Sequence, residues 1–169
     1  MITIENILVA TDFSEAAATA LTYGRALAGQ FGATLHVINV ADNFFALIGL
    51  EGYITDAAGL RRDAEHSARA RLEATITPED RQKFHARTAV LTSSSPALSI
   101  VAYATKARID LVVIGTHGHG GISHVLMGGV AEKIARLSPC PVLTVKPGEH
   151  EFVVADALER LVTNTPRAS

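Results

Sequence analysis

The chain has a single cysteine, Cys140, so an intrachain disulfide is impossible. No second thiol is present to resolve an oxidised intermediate, and a redox role has no support. Pro139 and Pro141 bracket Cys140 and an apolar strand follows, which points to a buried, inert thiol. No apolar run approaches the ~20 residues that span a bilayer. The opening stretch MITIENILVATDF has neither the charged n-region nor the long apolar h-region of a signal peptide, so the chain is expected to be cytoplasmic. An excess of basic charge is missing too: 17 acidic residues face 15 basic ones, for a net charge of −2. Nucleic-acid binding would need a concentrated basic face. The only basic cluster, Arg61, Arg62, Arg69 and Arg71, is interleaved with Asp63, Glu65 and Glu73, the pattern of a solvated helix face. Neither the Gly-Lys-Ser/Thr of a Walker A loop nor a G-x-G-x-x-G dinucleotide fingerprint occurs.

What is present is a regular alternation of strands and helices. The 169 residues suit one domain, and with 48% hydrophobic residues they can bury a core. Ile7 to Ala10 is a continuous apolar run, as expected of a strand buried on both faces. Ser14 is placed to cap an alanine-rich helix in which Ala17, Ala20, Leu21, Ala28 and Phe31 recur near helical spacing, and Gly32 supplies its stop. Leu35 to Val40 reads as the second strand. From Ala41 to Leu60 the pattern breaks down; a connection this long is either a lid over a site or irregular cover for the core. A charged helix follows from about Arg61 to Ala74, with Pro78 marking its end region. Phe84 to Leu91 alternates as a third strand, Thr92 to Ser95 reads as a polar turn, and Pro96 opens a third helix. Leu111 to Ile114 is a second fully apolar strand, a helix runs from about Gly129 to Leu137, and Val142 to Val145 is the last strand. This order predicts a mostly parallel sheet covered on both sides. In the tail, Val154, Leu158, Leu161 and Val162 make one helical apolar stripe, expected to pack on the domain or on a partner chain.

In such a sheet ligands bind at the carboxyl ends of the strands, near the reversal of strand order. Two loops are expected to meet there, one carrying Thr11 and Asp12, the other the glycines of the run from Gly115 to Gly121. The second loop has the spacing Gly115-x2-Gly118-x9-Gly128-Gly129. Glycines allow backbone to approach a phosphate without a Cβ clash, and a helix starting at Gly128 and Gly129 offers N–H groups and a favourable dipole to an anion. The same pattern also suits a flexible loop with tight helix packing. Asp12 is likewise open to two readings, a ligand contact or a cap on the turn that follows it. His117, His119 and His124 surround the glycines, but no nearby carboxylate or thiol completes a metal site. Ser123 lacks the second glycine of a nucleophile elbow, and no acid in the loop offers a catalytic base. No catalytic residue is assigned.

The opening ILVATDFSEAAATAL and the stretch DLVVIGTHGHGGISHVLMGGVAEKIARLSPCPVLTVK, from Asp110 to Lys146, together resemble the universal stress protein family. The similarity covers about residues 1–146, taken as the domain, and leaves residues 147–169 as a tail expected to be helical. The resemblance implies an α/β fold of the adenine nucleotide alpha hydrolase type: an open five-stranded parallel sheet in the order 3-2-1-4-5 with helices on both faces. It also implies homodimers through the last strand and, in one subgroup, bound ATP. Carried over from that subgroup, Thr11 would belong to the site, Asp12 would contact the ribose and Val37 the adenine. Gly115 and Gly118 would line ribose and phosphates, and His117 matches a histidine common at that motif position. Gly128, Gly129 and Val130 would offer N–H groups to the phosphates. Magnesium would arrive with ATP, held by phosphates and water.

Gly129 departs from the subgroup, which has Ser or Thr there. A missing hydrogen bond of about 0.5–1.5 kcal/mol corresponds to a few-fold up to roughly tenfold weaker binding. The sequence therefore predicts a nucleotide-responsive regulatory module, with a ligand-free homodimer acting through protein contacts as the alternative.

Overall fold

Successive residues of the strand Asn6–Ala10 point to opposite sides of the sheet, and both sides are apolar. Ile7 and Val9 join one buried cluster and Leu8 the other. The computed structural model describes residues 2–42, 57–116 and 128–148. Its strands are β1 (Asn6–Ala10), β2 (Thr34–Asp42), β3 (Arg87–Ser93), β4 (Leu111–Gly115) and β5 (Val142–Val145). Its helices, numbered among the described residues, are α1 (Glu15–Phe31), α2 (Ala57–Thr75), α3 (Pro78–Phe84), α4 (Pro96–Lys106) and α5 (Gly129–Leu137). The five strands are parallel and lie in the order β3-β2-β1-β4-β5, the arrangement expected from the sequence.

The two clusters divide the helices. Ala20, Leu21, Tyr23 and Ala28 of α1, Leu72 of α2 and Phe84 of α3 cover one face of the sheet with Leu35, Val37 and Val113. Ala97, Ile100 and Ala104 of α4, with Ala131 and Ile134 of α5, cover the other with Ile38, Val112 and Ile114. Ser14 caps α1, its hydroxyl accepting the Ala17 N–H at 3.3 Å, and Gly32 closes it at φ +66°. Phe31, expected on the buried stripe, is instead exposed at this last turn. In the middle of α1, Gly24 lies directly over β1; a Cβ there would come within 2.4 Å of Val9 Cγ2.

The segment between α2 and β3 differs from expectation. Pro78 opens a helix rather than closing one. Thr77 and Asp80 form a capping box, with Thr77 Oγ1 accepting the Asp80 N–H at 3.1 Å and Asp80 Oδ2 accepting the Thr77 N–H at 2.8 Å. Phe84 ends this helix, so β3 begins three residues later than read. It continues through Thr92 and Ser93, which pair with Ala41 and Asp42 instead of turning. Asp80 also anchors α3 to α1. The Arg25 guanidinium donates to both of its carboxylate oxygens, at 2.8 and 2.7 Å, and to the Thr75 carbonyl at 2.9 Å. Burial alone would raise the Asp80 pKa. The Arg25 hydrogen bonds, the Thr77 N–H and the Arg25 charge outweigh it and hold the carboxyl below its ordinary value.

On the opposite face His36 is buried with its Nδ1 2.9 Å from Tyr103 Oη. Burial and then the nearby charge of Arg87 lower its pKa, so the imidazole is neutral at pH 7. Cys140 is half-buried rather than buried, with Sγ 3.6 Å from Ser138 Oγ. Among the described residues no helix is long and apolar enough to cross a membrane. The tail from residue 149 onward, most of the Ala41–Leu60 connection and the loop histidines lie outside the described residues.

Candidate functional site

Strand order reverses between β1 and β4, which pair from Ile7–Leu111 to Val9–Val113. Beyond their carboxyl ends the two chains part. Thr11 leans toward β2: its N–H donates to the Ile38 carbonyl at 2.9 Å, and its own carbonyl accepts from Asn39 Nδ2 at 2.8 Å. Thr116 leans toward β5, its N–H donating to the Val145 carbonyl at 2.9 Å. The divergence falls at the reversal of strand order, the position where α/β sheets place their ligand crevice.

The loop leaving β1 is tightly built. Thr11 is buried, and its Oγ1 accepts the Phe13 N–H at 3.0 Å. Asp12 Oδ1 accepts the Ser14 N–H at 3.0 Å, so Asp12 does cap the turn. A carboxylate has about four lone-pair sites, so capping a turn and contacting a ligand are not mutually exclusive roles. Phe13 has φ +64°, a left-handed conformation that costs a non-glycine residue roughly 1–2 kcal/mol. Its ring lies 4.1 Å, centroid to carbon, beneath the Arg71 guanidinium of α2.

The loop leaving β4 begins at Gly115, and the structure gives this glycine a packing reason. A Cβ there would lie 2.7 Å from Ala16 Cβ and 2.8 and 2.9 Å from the Ala16 carbonyl carbon and oxygen. The first turn of α1 therefore rests on the end of β4. Thr116, also buried, accepts the Gly128 N–H on its carbonyl at 2.7 Å. That bond pins the two ends of the 117–127 stretch together. His117 and Gly118 fall within it, outside the described residues.

Helix α5 starts at this pinned point. Gly128 is its N-cap and contributes no side-chain cap. The Gly128 N–H is committed to Thr116, so of the three donors expected at this helix start, those of Gly129 and Val130 are the two at the first turn. The early N–H groups of a helix lack intrahelical acceptors. A Cβ at Gly129 would meet no described atom within 4 Å, and Val130 is exposed.

The structure thus brings Thr11, Asp12, Gly115, Gly128, Gly129 and Val130 to one rim. Val37 lies deeper: it pairs with Val9 and Thr88 inside the sheet, and its side chain is enclosed in the α1-side core. Sequence reasoning missed Asn39 and Thr116, the two buried polar residues that fix where the loops diverge. The available signal was weak: Thr116 is a single polar residue after an apolar strand, and Asn39 stands inside β2 with a second buried polar residue, His36, three positions before it. Among the described residues no group of three or more His, Cys, Asp or Glu side chains could hold a metal ion.

The family model for the universal stress protein family matches residues 3–146. The chain belongs to that family. A universal stress protein of Methanocaldococcus jannaschii is 30% identical over 148 residues, covering 87% of this chain and 85% of its own. Among solved structures, protein MJ0577 superposes with a TM-score of 0.73 at 23% identity, covering 88% of this chain and 100% of its own. A universal stress protein from Archaeoglobus fulgidus, solved in complex with dAMP, superposes with a TM-score of 0.59 at 19% identity, covering 86% and 100%. At these identities the two structures establish the shared fold.

Proposed function

We propose that this chain binds an adenine nucleotide, ATP with its magnesium, in the β1–β4 crevice, and acts in the cytoplasm as a regulatory module of the stress response. The observation that carries the reading is the arrangement at the rim. The Asp12 loop and the start of α5, which has no side-chain cap, flank one crevice at the reversal of strand order. The dAMP complex of the Archaeoglobus fulgidus relative supports the same class of ligand.

In this reading Asp12 takes the ribose and Thr11 holds the loop that presents it. Gly115, His117 and Gly118 line the ribose and phosphates. Gly129 and Val130 donate N–H groups to the phosphates, and Gly128 shapes the approach through its bond to Thr116. Val37, enclosed in the α1-side core, supports the adenine end of the site from below and does not touch the ligand with its side chain. Magnesium rides on the phosphates and needs no protein ligand of its own. The site binds and signals; no residue is assigned a catalytic step. Two chains associate through β5, an edge strand of the sheet.

Titration calorimetry of ATP–magnesium into the purified chain tests this, alongside Asp12→Asn. Asparagine keeps an oxygen for the Ser14 N–H but removes the charge. Micromolar binding that weakens about tenfold or more in Asp12→Asn is the expected result, an order of magnitude set by loss of a charge-assisted hydrogen bond. Absence of binding heat with ATP, ADP and AMP at several temperatures would favour the second reading, a ligand-free homodimer acting through protein contacts. Two features favour that alternative: Gly129 has no hydroxyl, and the Gly128 N–H already has an acceptor.

A further inference from the structure

The Asp12 loop is gripped from two sides by residues outside the family stretches that suggested the site. From β2, the Asn39 amide holds the Thr11 carbonyl at 2.8 Å in a buried bond. From α2, the Arg71 guanidinium sits 4.1 Å from the centre of the Phe13 ring. Asp12 lies between these two anchors. Phe13 is the residue under backbone strain, at φ +64°. A strained conformation persists only where its surroundings over-determine it. Here the surroundings are the Thr11 hydroxyl on the Phe13 N–H, the α1-side core against which Phe13 packs, and Arg71 over the ring.

Helix α2 is itself referenced to the sheet rather than to the loop. Thr92 and Thr88 of β3 donate to Glu65 and Glu73 at 2.5 and 3.0 Å, and Arg81 pairs with Glu73. Arg71 is therefore carried on a helix with its own polar attachments to the far edge strand. A shift of α2 relative to the sheet moves the cation over Phe13.

We propose that Arg71 is a positioning residue for the nucleotide site. By stacking on Phe13 it holds the left-handed turn that aims Asp12 at the ribose, and so links the seating of α2 on β3 to ribose recognition. This rests on the nucleotide reading above and adds a residue, and a helix, to it. The linkage is reciprocal. A ligand that fixes Asp12 also favours the seated position of α2, so α2 is the surface on which occupancy is displayed.

The test measures the affinities of ATP and of 2′,3′-dideoxy-ATP, each with magnesium, for the full chain and for Arg71→Ala, Arg71→Lys and Asp12→Ala. The dideoxy nucleotide lacks both ribose hydroxyls, so the ratio of the two affinities reports ribose recognition alone. An exposed cation–ring contact predicts a roughly two- to fivefold loss of ATP affinity in Arg71→Ala, with dideoxy-ATP unchanged. The ratio then falls toward that of Asp12→Ala. Arg71→Lys keeps a cation over the ring and restores part of the ratio. A general loosening of the fold would weaken both nucleotides alike and leave the ratio intact; that result overturns the proposal. Should Arg71→Ala be poorly folded, Phe13→Leu removes the ring from the other side and must lower the ratio in the same way. If the unmodified chain itself binds the two nucleotides equally, the assignment of Asp12 to the ribose fails, and the role of Arg71 falls with it. A normal ratio in the parent chain that persists in Arg71→Ala removes only Arg71.

Discussion

At its amino end the β1–β4 pair is stitched shut. The Asp110 carboxylate accepts the N–H groups of Glu5 and Asn6 at 2.8 and 2.9 Å, and the Asp110 N–H donates to the Asn6 carbonyl at 2.9 Å. Close to that end, α3 leads into β3 and is tied to α1 by the Arg25–Asp80 pair. At the carboxyl end the same two strands separate, Thr11 toward β2 and Thr116 toward β5. One end spends its polar groups on closing the sheet, the other on holding a gap open. On the nucleotide reading proposed above, stability and ligand recognition fall to opposite ends, and a substitution at either end should reveal which it serves.

The largest effect is expected from Asp80→Ala, at the closed end. It removes the capping box and leaves Arg25, about one-third exposed, without its carboxylate. Unpaired buried charges cost about 3–5 kcal/mol; discounting for the exposure of Arg25, a loss of roughly 2–4 kcal/mol is expected in urea unfolding. Nucleotide affinity should not change. The pH dependence has a definite sign. The Asp80 pKa is lowered in the fold, so the unfolded chain binds the proton more readily. The contribution is complete above the ordinary aspartate pKa and fades as pH falls from there through the depressed value. Unfolding curves of the parent and of Asp80→Ala should therefore converge on acidification. If nucleotide affinity falls with stability in this variant, the two ends are not independent.

Gly115→Ala is the corresponding change at the open end and should be somewhat milder. The new methyl meets the Ala16 backbone, which cannot step aside as a flexible side chain would, and overpacking of this kind costs typically 1–3 kcal/mol. Relief requires α1 to lift at its first turn, immediately after the Asp12 loop. Stability and nucleotide affinity should therefore drop together, in contrast to Asp80→Ala. Unfolding midpoints and titration on the same preparation check both.

This contrast also shows how much the sequence could convey. The strands Ile7–Ala10 and Leu111–Ile114 were legible because an unbroken apolar run between turn residues has few other readings. Ser14 and Gly32 marked the ends of α1 by local chemistry alone. Helix α3 carries its signal in the open, since Thr77, Pro78 and Asp80 spell a capping box with proline at the first position, but a proline after a charged helix equally suits the end of that helix. Gly115 illustrates a harder limit. Its spacing suits a phosphate loop, yet what excludes a Cβ is Ala16, almost a hundred positions away in the chain. Asn39 and Arg71 belong to the same class, since each acts on a loop distant in sequence, and neither residue type is unusual where it stands.

The smallest effect, and the most specific to the open end, is expected from Gly129→Ser. The site has room, since a Cβ at Gly129 would meet no described atom within 4 Å. Two contributions must be separated. Replacing glycine inside a helix gains a few tenths of a kcal/mol in stability whatever the ligand does. A hydroxyl beside the first-turn N–H groups adds one donor to a bound phosphate, which is expected to tighten ATP by a few-fold up to roughly tenfold. Gly129→Ala supplies the first contribution without the second. Tighter binding in the serine variant alone would place the phosphates at the start of α5 and make the natural glycine a device that keeps affinity low. Equal tightening in both variants would mean that the gain came from a stiffer helix start. Unchanged affinity in both, beside measurable binding by the parent, would move the phosphates away from α5 and leave Asp12 and the residues after Thr116 to hold the nucleotide.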